Sequence, residues 1–223
     1  MKVGVLALQG DVPEHTTALS RVLPSTSIVP VRTPRDLELA DALVLPGGES
    51  TTIADLLVSG GLWTPLAQRI SRGLPVLATC AGFILLARAL ESSPLGRDPP
   101  TFGVLDVTIR RNDYGTQRES FEAPVSVPGL DGGAFPGVFI RAPRVLSVGP
   151  KARPIAQRGR EIVGVRSGSL VGLTFHPELS DDPRLHAWFV AEVVANAQPR
   201  SSSQTQATRR TAKRSDATAT HHR

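Results

Sequence analysis

The chain has 223 residues, 40% of them hydrophobic, a formal net charge of +5 and one cysteine, Cys80. A single thiol excludes an intrachain disulfide framework and any structural zinc site built on several thiolates, and it fits a reducing, cytosolic compartment. The opening MKVGVLALQG lacks the apolar length and cleavage site of a signal peptide, and no apolar run approaches the ~20 residues of a membrane span.

The positive charge is concentrated at one end. Residues 199–223 carry Arg200, Arg209, Arg210, Lys213, Arg214 and Arg223 against one acid, Asp216. Residues 1–198 are therefore charge-balanced. This gives little ground for a nucleic-acid-binding protein. After Val194 no Leu, Ile, Val, Met or aromatic residue occurs, so residues 199–223 are expected to form a disordered basic tail behind a single domain over 1–198.

In chain order, Lys2–Leu8 reads as a buried strand and residues 13–22 as a helix with Pro13 in its first turn. Ser27–Val31 and Asp41–Leu45 are further strands, the latter ended by Pro46-Gly47-Gly48. Ser50 opens a helix that closes at Gly60-Gly61. Pro65–Ser71 is a short helix, Pro75–Ala78 a strand, and Ala81–Glu91 a helix. This alternation predicts an α/β protein with a mainly parallel sheet and helices on both faces. After the loop Ser92–Pro100 the pattern changes. GVLDVTIRR, FEAPVSV, GVFIRAP, RVLSVG, EIVGVRSG and SLVGLTFHP predict a β-rich, partly antiparallel second half. A helix over Arg184–Ala197 follows. There is no internal repeat.

Cys80 lies in PVLATCAG, where a strand runs directly into a helix. Small neighbours let the backbone double back, so the side chain projects above the carboxyl edge of the sheet, as in a nucleophile elbow. The positive end of the following helix favours thiolate, and the Ala81 N–H can bond an oxyanion. Alone, the segment reads equally well as a buried structural cysteine.

A nucleophile needs a base and an orienting group. His176 in LTFHPELSDD follows an apolar run, with Glu178 two residues on. In extended chain these side chains point the same way, and a glutamate there can accept Nδ1–H and leave Nε2 for the thiol. In isolation the pair reads as readily as a surface strand end. His15, in a helical pattern after Glu14, is expected to face solvent or a subunit contact, and His186 to be packing.

VLPGGEST (residues 44–51) places Gly47-Gly48 at the carboxyl end of a strand, where α/β sheets hold ligands. It has neither the GxGxxG nor the phosphate-loop spacing. RRNDYG (110–115) and GVFIRAPRV (137–145) put arginines beside strand ends. Each suits a ligand carboxylate or a structural ion pair.

Together, VGVLALQGDVPEH, LPGGEST, TCAG, RRNDYG, FIRAP and FHPEL resemble the glutaminase subunit of pyridoxal 5′-phosphate synthase, the PdxT/SNO family of class I (triad) glutamine amidotransferases. The resemblance spans Lys2 to about Ala197 and implies that family's flavodoxin-like fold. It implies Cys80 as nucleophile, His176 as base and Glu178 as its orienter. Gly48 and Ala81 would form the oxyanion hole. Gly48, Glu49 and Ser50 with Arg111, Ile140 and Arg141 would hold L-glutamine. Ala78 stands where the superfamily elbow usually has glycine.

The activity so implied is hydrolysis of glutamine to glutamate and ammonia, with no metal or cofactor for the amide step. The ammonia passes to a β/α-barrel synthase subunit in a hetero-oligomeric complex. Pyridoxal phosphate is the product of that complex. Family members are poorly active alone and gain activity on docking, which completes the oxyanion hole. The rival readings are another triad glutaminase, a γ-glutamyl hydrolase, a non-catalytic scaffold on the same fold, and nucleic-acid binding through the tail.

Overall fold

The computed structural model describes residues 1–91, 97–111 and 120–197. The expected tail and the segment Asn112–Gly115 lie outside the described residues.

The first half alternates strand and helix as its apolar pattern requires. Val3–Leu6 (β1) leads to Val12–Ser20 (α1), and Ile28–Val31 (β2) to a short helix Pro34–Glu38 (α2). Ala42–Leu45 (β3) leads to Ser50–Ser59 (α3) and Trp63–Ser71 (α4). Val76–Thr79 (β4) runs into Ala81–Leu86 (α5). Helix α2 is absent from the sequence reading. A capping box starts it: the Thr33 side chain accepts from the Asp36 N–H while the Asp36 carboxylate accepts from the Thr33 N–H.

The second half supplies Ala87–Glu91 (β5), Leu105–Arg110 (β6), Phe121–Val125 (β7), Phe135–Phe139 (β8) and Arg144–Val148 (β9). Arg153–Arg158 (β10), Glu161–Ser167 (β11) and Leu170–Leu173 (β12) follow. The closing helix starts at Arg184–Trp188 (α6), widens to a π-helix over Phe189–Val194, and ends at Ala195–Ala197. Among the described residues no helix is long and apolar enough to cross a membrane.

Seven strands make the central sheet in the order β10-β11-β12-β4-β3-β1-β2. The pairs from β12 through β4, β3 and β1 to β2 are all parallel, and β11 and β10 add antiparallel at the far side. The parallel part has the flavodoxin-like winding, with β12 in the fifth place. Strands β1, β3 and β4 are buried at every position, as a sheet covered on both faces demands. Their side chains divide between two cores. Leu6, Leu43, Leu45, Val76 and Ala78 join one, and Val3, Val5, Val44 and Leu77 the other. The additions are a sheet β5-β6-β9 and a hairpin-like pair β7-β8.

Two expectations need correction. The helix expected over Ala81–Glu91 stops at Leu86, and Ala87–Glu91 is strand β5. Its residues favour helix by intrinsic preference, but tertiary pairing decides. The Phe102 and Val104 N–H groups take the carbonyls of Leu85 and Leu86, and β5 then pairs in parallel with β6. The second is an omission: β10, with Pro154 in it, is absent from the sequence reading. Proline is accommodated here because β10 is an edge strand.

Candidate active site

Cys80 stands between β4 and α5 with φ 43° and ψ −101°, a left-handed conformation that costs a non-glycine residue energy. Three backbone bonds hold the turn there. Cys80 N–H donates to Leu173 O at 2.9 Å, Gly82 N–H to Pro46 O at 3.2 Å, and Ile84 N–H to Cys80 O at 3.1 Å. A β-carbon on Gly82 would lie 2.3 Å from Leu45 O, so α5 approaches β3 at a distance only glycine allows. Ala78 fits without loss of the turn. Its register partner on β12 is Gly172, and Phe83 fills the space above that glycine.

His176 and Glu178 follow β12, the strand hydrogen-bonded to β4. The segment is not extended, as the sequence suggested. Pro177–Leu179 forms a 3₁₀ turn, and His176 N–H donates to Val138 O at 2.8 Å across to β8. The turn still brings the two side chains together, with His176 Nδ1 2.8 Å from Glu178 Oε1. Both are buried. Asp11, between β1 and α1, is a second carboxylate on the same nitrogen, 3.1 Å from it.

The electrostatics pull the pair toward opposite charges. Burial lowers the His176 pKa, but the Asp11 carboxylate, the neighbouring Cys80 and the Glu178 carboxylate outweigh it and hold the ring well above its ordinary value of 6.5. Burial raises that of Glu178, but the charges and hydrogen bonds of His15 and His176 hold it well below the carboxylate range. His176 Nε2 is buried with no hydrogen-bond partner among the described residues. The Cys80 thiol is near enough to act on the ring electrostatically, yet it points to Ile140 O, 3.9 Å away.

Cys80 and His176 open onto a cavity of about 250 Å³. Gly48, Glu49, Ser50, Arg111, Ile140 and Arg141 all line it. Arg141, like Cys80, has a positive φ (44°), and these are the two such non-glycine residues among those described. Its guanidinium donates to Glu49 Oε1 at 2.8 Å. Arg111 is held by Asp98 at 3.2 Å and by the Arg97 carbonyl at 3.1 Å. Glu178 and Ala81 do not line the cavity. Glu178 lies behind His176, and Ala81, almost fully buried, opens α5.

The amide of Gln9 also reaches this cavity and accepts from Glu49 N–H at 2.9 Å. Backbone packing is tight here. A β-carbon on Gly47 would lie 2.4 Å from His176 Cε1 and 2.6 Å from Asp11 Oδ2. Asp11, His176 and Glu178 are the one trio among the described residues close enough to share a cation. Hydrogen bonds at His176 Nδ1 already account for that closeness.

The SNO glutamine amidotransferase family model matches residues 5–195. The chain belongs to that family. It is 48% identical over 201 residues to pyridoxal 5′-phosphate synthase subunit PdxT of Acidothermus cellulolyticus, covering 88% of this chain and 95% of that one. It is 49% identical over 193 residues to the subunit of the same name from Streptomyces griseus, covering 86% and 96%. A solved glutamine amidotransferase, 43% identical, superposes with a TM-score of 0.79 over 87% of this chain and all of its own. A putative GMP synthase subunit from Thermoplasma acidophilum, at 18% identity and a TM-score of 0.60, shares the fold.

In this SNO-family chain the structure brings residues of all six quoted motifs to one cavity, Arg111 standing for RRNDYG among the described residues. Sequence reasoning missed Gln9, Asp11, Ile84 and Leu179, which share the cavity. A signal for two of them was present. LQGD follows β1, whose carboxyl end lies beside that of β3. His15 is a further correction: it does not face solvent and is fully buried, as is His186, whose packing role was expected.

Proposed function

We propose that this chain hydrolyses L-glutamine to L-glutamate and ammonia through Cys80, His176 and Glu178, as the glutaminase subunit of a pyridoxal 5′-phosphate synthase. The observation that carries the reading is the left-handed Cys80 at a strand–helix turn, sharing a cavity with an imidazole whose Nδ1 lies on a buried glutamate. Nearly full-length similarity to subunits named for that synthase supports the pathway.

In this mechanism the Cys80 proton rests on His176 Nε2, as the raised basicity of that ring favours, and the thiolate sulfur adds to the side-chain amide carbon. The developing oxyanion is held by the N–H groups of Gly48 and Ala81. The carbon–nitrogen bond breaks as the imidazolium returns the proton to nitrogen, releasing ammonia. Water then adds to the thioester, His176 takes its proton, and the carbon–sulfur bond breaks to give glutamate and restore the thiol. Glu178 holds the ring in the tautomer that leaves Nε2 for this work.

Arg141 and Glu49 present opposite charges to the cavity, complementary to the carboxylate and ammonium of an amino acid. Ser50, Arg111 and the Ile140 backbone complete the glutamine site in this reading. The partner is a β/α-barrel synthase subunit that receives the ammonia, in a hetero-oligomeric complex in the cytoplasm. Pyridoxal phosphate is its product. The test is ammonia and glutamate release from glutamine, with and without the cognate synthase subunit. The parent should be active in the complex, and Cys80→Ala should lose that activity while still co-purifying with the synthase. Glutamate release by Cys80→Ala at the parent rate would refute the assignment.

A further inference from the structure

Behind the triad lies a row of buried polar groups that the mechanism above leaves unused. His15 on α1 and His186 on α6 are both 0% exposed. His15 Nδ1 is 3.0 Å from His186 Nε2, and His15 Nε2 is 3.1 Å from Thr79 Oγ1 and 3.4 Å from Glu178 Oε1. The Thr79 hydroxyl donates in turn to Glu178 Oε1 at 3.5 Å. Thr79 is the residue before Cys80, and α1 packs against the turn that carries Glu178.

Hydrogen-bond chemistry orients the row where it meets Glu178. A carboxylate only accepts, so the proton between His15 and Glu178 sits on His15 Nε2. His15 Nδ1 is engaged as well, by His186 Nε2 on its other side. His186 Nδ1 is buried without a partner among the described residues. Burial and the adjacent His15 hold His186 down to about 3, so that ring is neutral. Glu178 Oε2 also has no partner among the described residues. The orientation of the carboxylate therefore rests on Oε1 alone, gripped by His176 in front and by His15 and Thr79 behind.

We propose that His15 is a positioning residue for the glutaminase reaction, clamping Glu178 from the side opposite His176 while His186 holds its other ring nitrogen. The inference rests on the glutaminase reading. His15 does not line the cavity, so its effect falls on the chemical step and not on glutamine binding.

Two amides separate positioning from filling space. Glutamine at position 15 places its N–H₂ near the site of Nε2 and can still donate to Glu178. Asparagine is also polar but reaches only the site of Nδ1. In the complex with the synthase subunit, His15→Gln should keep kcat within about threefold of the parent. His15→Asn should lower kcat by about ten- to a hundredfold, the usual scale for groups that orient a reacting residue, with KM within about twofold. His15→Leu should match His15→Asn, and if it does not fold the two amides decide alone. Equal loss in Gln and Asn variants, a loss confined to KM, or no loss in the Asn variant would overturn the role. A parent complex that releases no glutamate refutes the glutaminase reading itself, and the role of His15 falls with it.

Discussion

Arg141 and Glu49 form a 2.8 Å ion pair within the lining of the Cys80 cavity, and Arg141 does so from a backbone φ of 44°. A backbone held in that conformation beside the Cys80 cavity is the kind of local strain that accompanies ligand contact. If Arg141 grips the carboxylate of glutamine, Arg141→Ala should raise KM in the synthase complex by about 10- to 100-fold, the worth of one charge-assisted hydrogen bond. The change in kcat should be smaller. Steady-state glutamine hydrolysis measures both, and an unchanged KM would remove Arg141 from the substrate site.

Gly47 gives a second test, one that leaves Cys80, His176 and Glu178 chemically unchanged. Its missing side chain is what lets the loop after β3 lie against the His176 ring, since a β-carbon would come within 2.4 Å of Cε1. Gly47→Ala must displace the imidazole, the loop or both. Activity should fall by at least about tenfold, because small misplacement of a reacting group is expensive in rate. The thermal midpoint should drop by several degrees, the usual cost of overpacking by one methyl group. Parent-like activity would show that the loop can move away freely.

Acid should unfold this protein more steeply than its carboxylates alone require. His186 is neutral in the fold with a pKa of about 3, against about 6.5 in an unfolded chain. The unfolded state therefore binds the extra proton between those values. The stability from this group is fully present above about pH 6.5 and declines as pH falls toward 3, by up to about 1.4 kcal/mol per pH unit. Glu178 adds in the same direction lower down. Its carboxyl is depressed, so its contribution is present above about pH 4.3 and is lost as pH falls through the folded value. His186→Gln removes only the first component. Urea unfolding at pH 7, 6 and 5 should show a flatter pH dependence for that variant than for the parent, and parallel curves would contradict the burial of a neutral ring.

How much of this was legible beforehand depends on the range of the forces involved. The buried strands and the Cys80 turn are written in local pattern: continuous apolar runs, then small residues where the backbone reverses. The meeting of Cys80 with His176 is not local, and only the resemblance to a known family placed them together. Strand β5 was hidden because Ala87–Glu91 prefer helix and are overruled by pairing with β6. His15 was misjudged for a related reason. On its own helix it follows a glutamate and looks solvated, and its burial comes from Thr79, Glu178 and His186, which lie 64, 163 and 171 positions away in the chain. Asp11 sat within a quoted motif but gave no sign of reaching His176.

Strands β4 and β12 are hydrogen-bonded neighbours, yet everything from β5 to β11 intervenes between them along the chain. Cys80 leaves one strand and His176 the other, so the ladder between the two strands sets how far apart these residues begin. The long excursion is tied in as well, because Val138 O on β8 takes the His176 N–H while Arg111, Ile140 and Arg141 stand in the cavity wall. Any lengthening or trimming of that excursion is therefore felt twice, in the outline of the cavity and at the backbone that carries the imidazole.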